Sequence, residues 1–486
     1  MTSDEPKGLV LYDTLTRRKR PFVPIEQGKV RLYVCGPTVY GDPHIGNFRT
    51  FMMGDIIRRW LDYKGYDVFH VMNITDIEDK TIRDSGKEGV PLKEFTDRYT
   101  ASFLRGLDLL NIKRATTYPR ATEYIRQMID FVEALLEKGV GYVASDGVYF
   151  DIDKFPGYGK LSGVDTSKVE KTDRMMADEY DKEAVNDFAL WKKATPEEIE
   201  RGIYYESPWG RGRPGWHIEC SVMTKSLLGD TLDIHAGGED LAFPHHENEI
   251  AQSESLTGKQ FVRFWVHVRF LMINGRKMSK SLGNYVSFDD VLSRYSPEVF
   301  RYFYLSVHYR RPLDYTEAVM EIAENSARRL ENTLDLIDDA LKREDKYFGF
   351  AKSEEAFLDA VHEHTRSFEA AMDDDLDTHG ALDALHALSG AINEYVAGEP
   401  NKGVLIKASA TYRRLLSALG LFEERRGEVG ELSDDVIAIL ADVRERLRAD
   451  QNFQLSDKIR EDLTKVGVVL SDTSEGPTWK IEAPKE

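Results

Sequence analysis

The chain has 486 residues, of which 41% are hydrophobic and 31% charged, a composition typical of a globular protein with two to four domains. Because it contains neither a run of about 18 apolar residues nor a signal- or transit-peptide pattern, we expect a cytoplasmic protein without a membrane span. The formal net charge of −19 argues against a broadly basic nucleic-acid-binding surface, and two cysteines are too few for a framework of disulfides.

The first part of the chain has the pattern of a parallel α/β sheet. An apolar-rich strand is predicted from Lys29 to Cys35, and a second strand from Asp67 to Ile74. Between them, apolar residues recur at helical spacing after Asn47, and Gly65 marks the end of that helix. Such a strand–loop–helix–strand unit opens a Rossmann-like sheet.

An insertion separates this unit from a second α/β segment. Helices are predicted near 93–140, a β-rich stretch at 141–165 and a charged, partly irregular stretch at 166–200. The α/β pattern then resumes with a strand at 231–235, a turn at 236–238, a helix from Pro244 and a strand at 264–273. Beyond residue 285 the pattern predicts helices at 318–343, 354–372, 374–397 and 405–422, a linker at 423–432, and a module with helices at 433–448 and 455–466 and a short β element.

These elements predict an α/β fold of six segments. They are the first half of a Rossmann-like parallel-sheet domain (1–110), a connective insertion (111–212), the second half of that domain (213–284), a connecting region (285–317), an α-helical bundle domain (318–425) and a small C-terminal module (433–486). In sheets of this kind, ligands bind at the carboxyl ends of the strands.

A first motif, His44–Ile45–Gly46–Asn47, lies in the loop between the first strand and the first helix. The N-terminus of a helix that follows a strand offers free N–H groups and a favourable dipole to an anion. Gly46 allows a phosphate to approach the backbone, and His44 can donate a hydrogen bond to a phosphoryl oxygen. Taken alone the motif is weak, because a histidine in such a loop is unremarkable.

A second motif, Lys277–Met278–Ser279–Lys280–Ser281, follows a strand that ends in the turn residues Asn274–Gly275. Two lysines on a polar loop suit a clamp for the negative charge of a departing pyrophosphate, although the loop could equally be a solvated basic segment. The two motifs, HIGN and then KMSKS about 230 residues later, together resemble the signature pair of class I aminoacyl-tRNA synthetases. That resemblance implies ATP binding by His44, Gly46, Asn47, Lys277, Ser279, Lys280 and Ser281, and catalysis by His44, Asn47, Lys277 and Lys280.

A third group of residues has the chemistry of a metal site. On a helix, His245 and Glu249 are four positions apart and share a face, while His246 and Glu247 would point elsewhere. Adding the two cysteines, Cys35 and Cys220, gives a Cys₂HisGlu set, and soft sulfur with imidazole favours zinc. Four protein ligands usually form a closed structural site, so a purely structural zinc is the alternative to one that meets a substrate.

The stretches CGPTVY, GWHIECS, GGEDLAFPHHENEIAQ and KMSKSLGN resemble the cysteinyl-tRNA synthetase family, specifically from about residue 8 to 310 and more weakly beyond. The resemblance implies a class I catalytic domain that uses ATP with Mg²⁺, L-cysteine and tRNA(Cys) and that holds one zinc ion per chain. We expect a monomer, although the sequence itself carries no signal of the oligomeric state. It also implies a region that meets the tRNA stem at 285–317, and anticodon contacts from the helical domain and the C-terminal module, with Trp479 as a candidate. Substrate-binding residues carried over from the family are Thr38, Trp216, His235 and Asp240, for each of which a structural role is the alternative.

Zinc would explain how cysteine is told from serine, which differs by one atom. A merely shaped pocket separates such near-isosteres by roughly 10²-fold, whereas a metal favours the thiolate. An insertion of about 100 residues is short for an added editing domain, which agrees with selection at the first step.

Two rival hypotheses remain. One is a cysteine ligase of the same fold that acts on an amino sugar; it would keep all the motifs but would not need residues 433–486. The other is a non-catalytic zinc- or RNA-binding relative, which the loss of His44, Lys280 or a zinc ligand would mark. None of these residues is lost.

Overall fold

The computed structural model describes residues 8–164, 187–278, 286–343 and 352–423, and in the C-terminal part residues 444, 447–448, 453–465, 468–473 and 476–481. The chain divides into two compact units, Met1–Phe422 and Glu423–Glu486. The predicted linker at 423–432 and the predicted helix at 433–448 fall almost wholly outside the described residues.

The strands of the first unit are short and belong to several sheets. They are β1 (Val10–Asp13), β2 (Arg18–Pro21), β3 (Lys29–Val34), β4 (Asp67–Met72), β5 (Gly141–Val143), β6 (Gly147–Phe150), β7 (Phe188–Lys193), β8 (Gly212–Pro214), β9 (Leu232–Gly238), β10 (Val262–Val268), β11 (Leu271–Ile273), β12 (Arg276–Lys277) and β13 (Leu313–Tyr315).

The helices of this unit lie between the strands and then dominate its C-terminal part. They are α1 (Ile45–Tyr63), α2 (Asp79–Glu88), α3 (Leu92–Leu109), α4 (Ile125–Glu137), α5 (Pro196–Glu200), α6 (Trp216–Leu228), α7 (Glu247–Thr257), α8 (Phe288–Leu292), α9 (Pro297–Leu305), α10 (Glu317–Lys342), α11 (Lys352–Asp373), α12 (Thr378–Ala397) and α13 (Lys402–Ala418). None of the helices in the described ranges has the length and apolar composition needed to cross a membrane.

The central sheet is parallel, with the strand order β10–β9–β3–β4. Side chains of a strand alternate between its two faces. Leu32 and Val34 of β3 therefore pack with α1 on one face, whereas Tyr33 and Cys35 pack on the other face with residues of α6 and α7. Burial of both faces is why these strands are apolar almost throughout.

The strand order also locates a crevice. β3 pairs with β4 on one side and with β9 on the other, so the chain leaves the carboxyl ends of β3 and β9 in different directions. Such a point in a doubly wound sheet leaves room for a ligand. The loop containing His44 and the segment after Gly238 both begin there.

Most predicted elements of this domain are present, and two boundaries were wrong. The predicted turn at 236–238 is the end of β9, because Ala236, Gly237 and Gly238 pair with β10. The predicted strand at 264–273 is broken, since the backbone N–H of Phe270 is diverted to the Glu239 carboxylate and β11 pairs with β13 in a separate sheet.

The insertion has its own antiparallel sheet, β5–β6–β7–β8. Its buried residues Val148, Phe150, Leu190 and Trp191 form a core with α4. The β-rich stretch was predicted only for 141–165, and β7 lies in the part expected to be charged and irregular. Residues 165–186 lie outside the described residues.

The helical region follows its prediction closely, with α10 to α13 beginning and ending within a few residues of the predicted positions. In the second unit, α14 (Phe453–Lys465) precedes an antiparallel pair, β14 (Val468–Thr473) and β15 (Gly476–Ile481). The six-segment division itself stays a prediction.

A buried carboxylate joins α1 to the helical region. Asp55 is wholly buried and accepts hydrogen bonds from the Arg59 Nε (2.9 Å to Oδ2), the Arg301 guanidinium and the Lys113 backbone N–H (2.9 Å). Arg301 also donates to the carbonyl of Leu419 at 2.7 Å. Burial alone would raise the pKa of Asp55, but the charges of Arg59 and Arg301 hold it below its usual value.

Replacing Asp55 by Asn should lower the free energy of unfolding by about 3 kcal/mol, because two arginines would stay buried without their counter-charge. Asp108→Asn is the matched control, since Asp108 is 61% exposed and pairs with Arg114 at the surface; it should cost less than about 1 kcal/mol. Denaturant unfolding measures the free energy of unfolding of both variants.

A carboxyl group whose pKa is lowered in the folded state stabilises the protein above its unfolded-state pKa of about 4, and this stabilisation is lost below that pH. The difference between wild type and Asp55→Asn should therefore shrink as the pH falls below about 4, and equal stability of the two proteins at neutral pH would contradict this role.

Candidate active site

A cleft of about 240 Å³ opens at the carboxyl ends of β3 and β9. Six of the residues predicted from the sequence line it: Cys35, Thr38, His44, Asn47, Trp216 and Asp240. A cavity is therefore present where the strand order places a crevice. It is lined by His44 and Asn47 of the first motif and by Cys35 of the predicted metal ligands.

His44 is the N-cap of α1. Its Nδ1 accepts the backbone N–H of Asn47 at 3.3 Å, and the Asn47 side chain accepts the backbone N–H of His44 at 3.0 Å. A neutral imidazole whose Nδ1 is an acceptor carries its proton on Nε2. The capping box therefore sets His44 as an Nε2–H donor at the start of a helix, where anions bind.

Gly46 is needed for this arrangement. A Cβ at Gly46 would lie 3.0 Å from the His44 ring and 3.1 Å from the Met278 methyl group. A larger residue would displace the imidazole or Met278, the second residue of the KMSKS motif. The role predicted for Gly46, close approach to the backbone, is thus accompanied by a packing role.

The predicted metal ligands converge behind the floor of the cleft. Cys35 directly follows β3, α6 carries Cys220, His245 lies just before α7, and α7 carries Glu249. The distance from the Cys220 Sγ to the His245 Nε2 is 3.4 Å, and that from the His245 Nε2 to the Glu249 Oε1 is 3.0 Å. One ligand atom from each of the four buried residues lies within 4.8 Å of all the others. A single ion fits such a set, since its ligands lie about 2.0 to 2.3 Å from a zinc-sized cation.

Nearby charges outweigh the effect of burial on the pKa for three of the four ligands, whereas burial and the neighbouring Cys220 raise the pKa of Cys35. Burial raises the pKa of Cys220, but the hydrogen bond with Cys35 and the charge of His245 bring it down to about 6. Burial lowers the pKa of His245, yet Cys220 and Glu249 raise it to about 10. The pKa of Glu249 falls to about 2 because of His235 and His245, against the effect of burial. These shifts favour a thiolate at Cys220 and a carboxylate at Glu249, the forms in which such groups bind metal ions.

The expectation that His246 points away from the metal ligands was wrong. The segment Ala242–His246 is not a regular α-helical turn, since Phe243 has φ −139° and ψ 132°. His246 has helical backbone angles and lies three positions before Glu249, and residues three apart share a helix face. It is therefore buried beside the ligands, with its Nε2 3.3 Å from the Cys35 Sγ and 4.0 Å from the Glu249 Oε1. Glu247 does point elsewhere, accepting hydrogen bonds from Ser162.

Two overlapping donor sets follow from this geometry. Cys35 and Glu249 are common to both, and either Cys220 with His245 or His235 with His246 completes the group. The set with Cys220 offers two sulfur ligands in place of one, which a soft or borderline metal prefers. That set is also the one predicted from the sequence.

Further histidines surround the ligands, and no sequence motif indicates them. His217 Nδ1 lies 3.0 Å from His245 Nδ1, and His267 Nε2 lies 2.8 Å from His246 Nδ1. The His267 ring also reaches Thr14 at 2.8 Å. A partner on the second ring nitrogen orients a metal-binding histidine. His267 lies on β10, so only the folded sheet brings it close.

His235 is not where a substrate contact would be. It is wholly buried, stacks on Trp265 at 4.6 Å and places its Nε2 3.0 Å from the Glu249 Oε2. The side chain of His235 lies on the face of β9 that contacts the metal ligands, and it does not line the cleft. Trp216, by contrast, lines the cleft and stacks on His245 with ring centroids 4.3 Å apart.

The loop after Cys35 is tied to α6 by buried hydrogen bonds. Asn73 accepts the backbone N–H of Gly36 at 2.9 Å and donates to the Thr75 hydroxyl at 3.1 Å, which in turn donates to Glu219 at 3.0 Å. A Cβ at Gly36 would lie only 1.7 Å from the Asn73 carbonyl oxygen. This network supports the segment that presents Thr38, and none of its members follows from a local motif.

The second motif is only partly described. Ser279, Lys280 and Ser281 lie outside the described residues. The backbone of Lys277 belongs to β12, which pairs with β11, and Met278 packs near Gly46.

Comparison with known proteins agrees with this geometry. Residues 21–325 match the family model described as tRNA synthetases class I (C) catalytic domain, and residues 367–423 match the DALR domain. Cysteine–tRNA ligase from Methanosarcina mazei is 48% identical over 97% of this chain and 99% of its own length, and that from Thermococcus onnurineus is 47% identical over 97% and 98%.

Solved structures resemble the fold at low sequence identity. Mycobacterium tuberculosis methionyl-tRNA synthetase in complex with methionyl-adenylate aligns with a TM-score of 0.58 and 16% identity, covering 81% of this chain and 90% of that one. The ternary LeuRS–tRNA–LeuAMS complex of Agrobacterium radiobacter aligns with a TM-score of 0.59 and 13% identity, over 83% and 85%.

The parallel sheet, the N-cap histidine in the cleft and the match over 21–325 define a class I aminoacyl-tRNA synthetase, an ATP-dependent ligase. Within that class, identity of 48% over nearly the whole length shows that the chain belongs to the cysteine–tRNA ligase family. The α/β fold class predicted from the sequence, and the family predicted from its four matching stretches, are thereby confirmed.

The two donor sets can be distinguished by the amount of metal that variants of their ligands retain. Cys220→Ala should leave less than about a tenth of the metal, because it removes a ligand of the preferred set. His235→Asn should retain most of the metal, because it leaves all four ligands of that set in place. Elemental analysis of the purified variants measures the metal per chain directly. Metal loss from His235→Asn with full retention in Cys220→Ala would assign the other set.

Proposed function

We propose that this chain activates L-cysteine with ATP to cysteinyl-adenylate and pyrophosphate, and transfers the cysteinyl group to the terminal ribose of tRNA(Cys). The observation that carries the proposal is the meeting of two features at one cleft. Cys35, a member of a buried Cys₂HisGlu group, lines the same cavity as His44, the N-cap donor of α1.

Cys35, Cys220, His245 and Glu249 would hold one zinc ion per chain. The observed donors fit it, being two sulfurs, an imidazole nitrogen and a carboxylate oxygen that are buried and mutually close. When bound, zinc supplies Lewis acidity that favours a deprotonated substrate thiol over a hydroxyl. That chemistry would let the enzyme discriminate against serine without an editing step. Trp216, which stacks on His245 and faces the cleft, would pack against the side chain of the bound amino acid.

The residues of the first motif would act on the α-phosphate of ATP. The ionised carboxylate of cysteine is itself the nucleophile, so activation needs no general base. Attack forms the bond to the α-phosphorus and releases pyrophosphate. The Nε2–H of His44 would donate to a phosphoryl oxygen as charge builds up, and Asn47 would keep the imidazole in that tautomer.

The remaining contacts follow the family. Thr38 and Asp240, which line the cleft, would bind the amino acid and the ribose of ATP, respectively. Lys277 and Lys280, with Ser279 and Ser281, would neutralise the leaving pyrophosphate, and Mg²⁺ would accompany ATP. The helical domain and the C-terminal module would contact the anticodon stem and loop. A cytoplasmic monomer is part of the proposal.

An amino-sugar ligase of the same fold is a weaker alternative. The match of residues 367–423 to the DALR domain, together with coverage of 99% of a curated cysteine–tRNA ligase, supports a tRNA substrate. A non-catalytic relative would be marked by the loss of His44 or a zinc ligand, and both His44 and the Cys₂HisGlu group are present.

The decisive test is ATP–pyrophosphate exchange with L-cysteine, with L-serine in parallel and with metal removed by a chelator. We expect exchange with cysteine to exceed that with serine by more than about 10³-fold, beyond the roughly 10²-fold that a shaped pocket gives. Chelation should abolish exchange, and added zinc should restore it. Transfer to tRNA(Cys) then separates this activity from an amino-sugar ligase. Absence of exchange in a folded, zinc-loaded protein would refute the proposed function.

A further inference from the structure

The part of the cleft wall that the structure describes carries few positive charges for the polyphosphate of ATP. Among the described residues that line the cleft, the carboxylates are Asp42, Glu78 and Asp240, and Lys80 is the one lysine or arginine. ATP brings about four negative charges to this space. Such a site needs positive groups aimed at the phosphates, since electrostatic stabilisation is the main contribution of the protein to phosphoryl chemistry.

We infer that Lys80 binds the polyphosphate of ATP and stabilises the pyrophosphate as it leaves, an inference that rests on the proposed function. The sequence motifs indicate only the KMSKS lysines as partners of the leaving pyrophosphate. Lys80 lies in no recognised motif, at the start of α2, and only the fold brings it to the cleft that contains His44.

The position of the ammonium group supports this role. Lys80 Nζ lies over the ring of Tyr40, 5.2 Å from its centroid, and Tyr40 belongs to the loop that leads to His44. An interaction of this kind at a partly exposed site contributes about 0.5 to 1 kcal/mol. A charge-assisted hydrogen bond to a phosphate oxygen is stronger than this contact, so ATP can draw the ammonium group toward its phosphates.

The backbone that carries Lys80 is firmly held. Glu78 is buried and caps α2, accepting the Lys80 backbone N–H at 2.7 Å. Asp79, between them, accepts a hydrogen bond from Lys192 at 2.8 Å and another from Arg213, and both cations are less than a tenth exposed. Lys192 and Arg213 belong to the sheet of the insertion. The insertion therefore anchors the start of α2, and Lys80 enters the cleft from a preorganised position.

The test compares Lys80→Ala and Lys80→Arg with Lys87→Ala in ATP–pyrophosphate exchange. Lys87 is the matched control, because it lies on the same helix, is 66% exposed and does not line the cleft. Lys80→Ala should lower kcat/KM for ATP about 100-fold and raise KM for pyrophosphate. Lys80→Arg should recover at least about a tenth of the wild-type value, because it restores the charge. KM for L-cysteine should change less than about threefold, and Lys87→Ala should behave as wild type.

Several outcomes would overturn the inference. One is full exchange by Lys80→Ala; another is an increase in KM confined to L-cysteine. A third is normal exchange with slow transfer to tRNA, which would place Lys80 at the acceptor end of the tRNA instead.

Equal thermal unfolding midpoints of the variants exclude misfolding as the cause of lost exchange. If the alanine variant does not fold, the kinetics of Lys80→Arg test the role of Lys80. Absence of exchange in wild type would refute the proposed function itself, whereas exchange by wild type and Lys80→Ala alike refutes only the role of Lys80.

Discussion

The site depends on the parallel pairing of β3 with β9. Tyr33 lies opposite His235, Val34 lies opposite Ala236, and the backbone N–H of Cys35 continues the ladder to the Ala236 carbonyl at 3.0 Å. This pairing joins two halves of the domain that the insertion separates in the chain. Because side chains alternate along a strand, the register also decides that Cys35 faces α6 and α7 rather than α1. A slip of one residue would turn Cys35 to the α1 face and separate the metal ligands.

Burying so many titratable groups in one place is costly unless they compensate each other. Here Cys220 and Glu249 are negative, His245 carries the positive charge between them, and His235 contacts the second oxygen of Glu249. A divalent ion would displace the proton on His245 and hold the same groups more strongly, so metal binding and the stability of this region should be coupled. The same residues would then contribute both to the structure and to the choice of amino acid.

Motifs and periodicity predicted the parts that are local or chemically distinctive. The strand–loop–helix unit around His44, the helices α10 to α13 and the Cys₂HisGlu group came from spacing, from residue type and from resemblance. Most of what escaped prediction depends on tertiary contacts. His246 lies beside the ligands because it is three positions before Glu249 on the helix, and His267 and His235 reach the metal ligands through the sheet. Lys80 lies in the cleft at the start of α2, which contacts with the insertion hold in place. Residue type alone could not distinguish these from other buried histidines or surface lysines.

The central claim is that the metal held by this group binds the thiolate of the substrate. Cobalt(II) put in place of zinc would test it, because each thiolate bound to cobalt adds intensity to the sulfur-to-metal charge-transfer band, and Cys35 and Cys220 already supply two. Adding L-cysteine should raise that band by about half, as a third thiolate joins the two, and L-serine should leave it unchanged. An unchanged band on addition of L-cysteine, in a protein that still forms cysteinyl-adenylate, would show that the metal is structural and that another feature of the cleft selects cysteine.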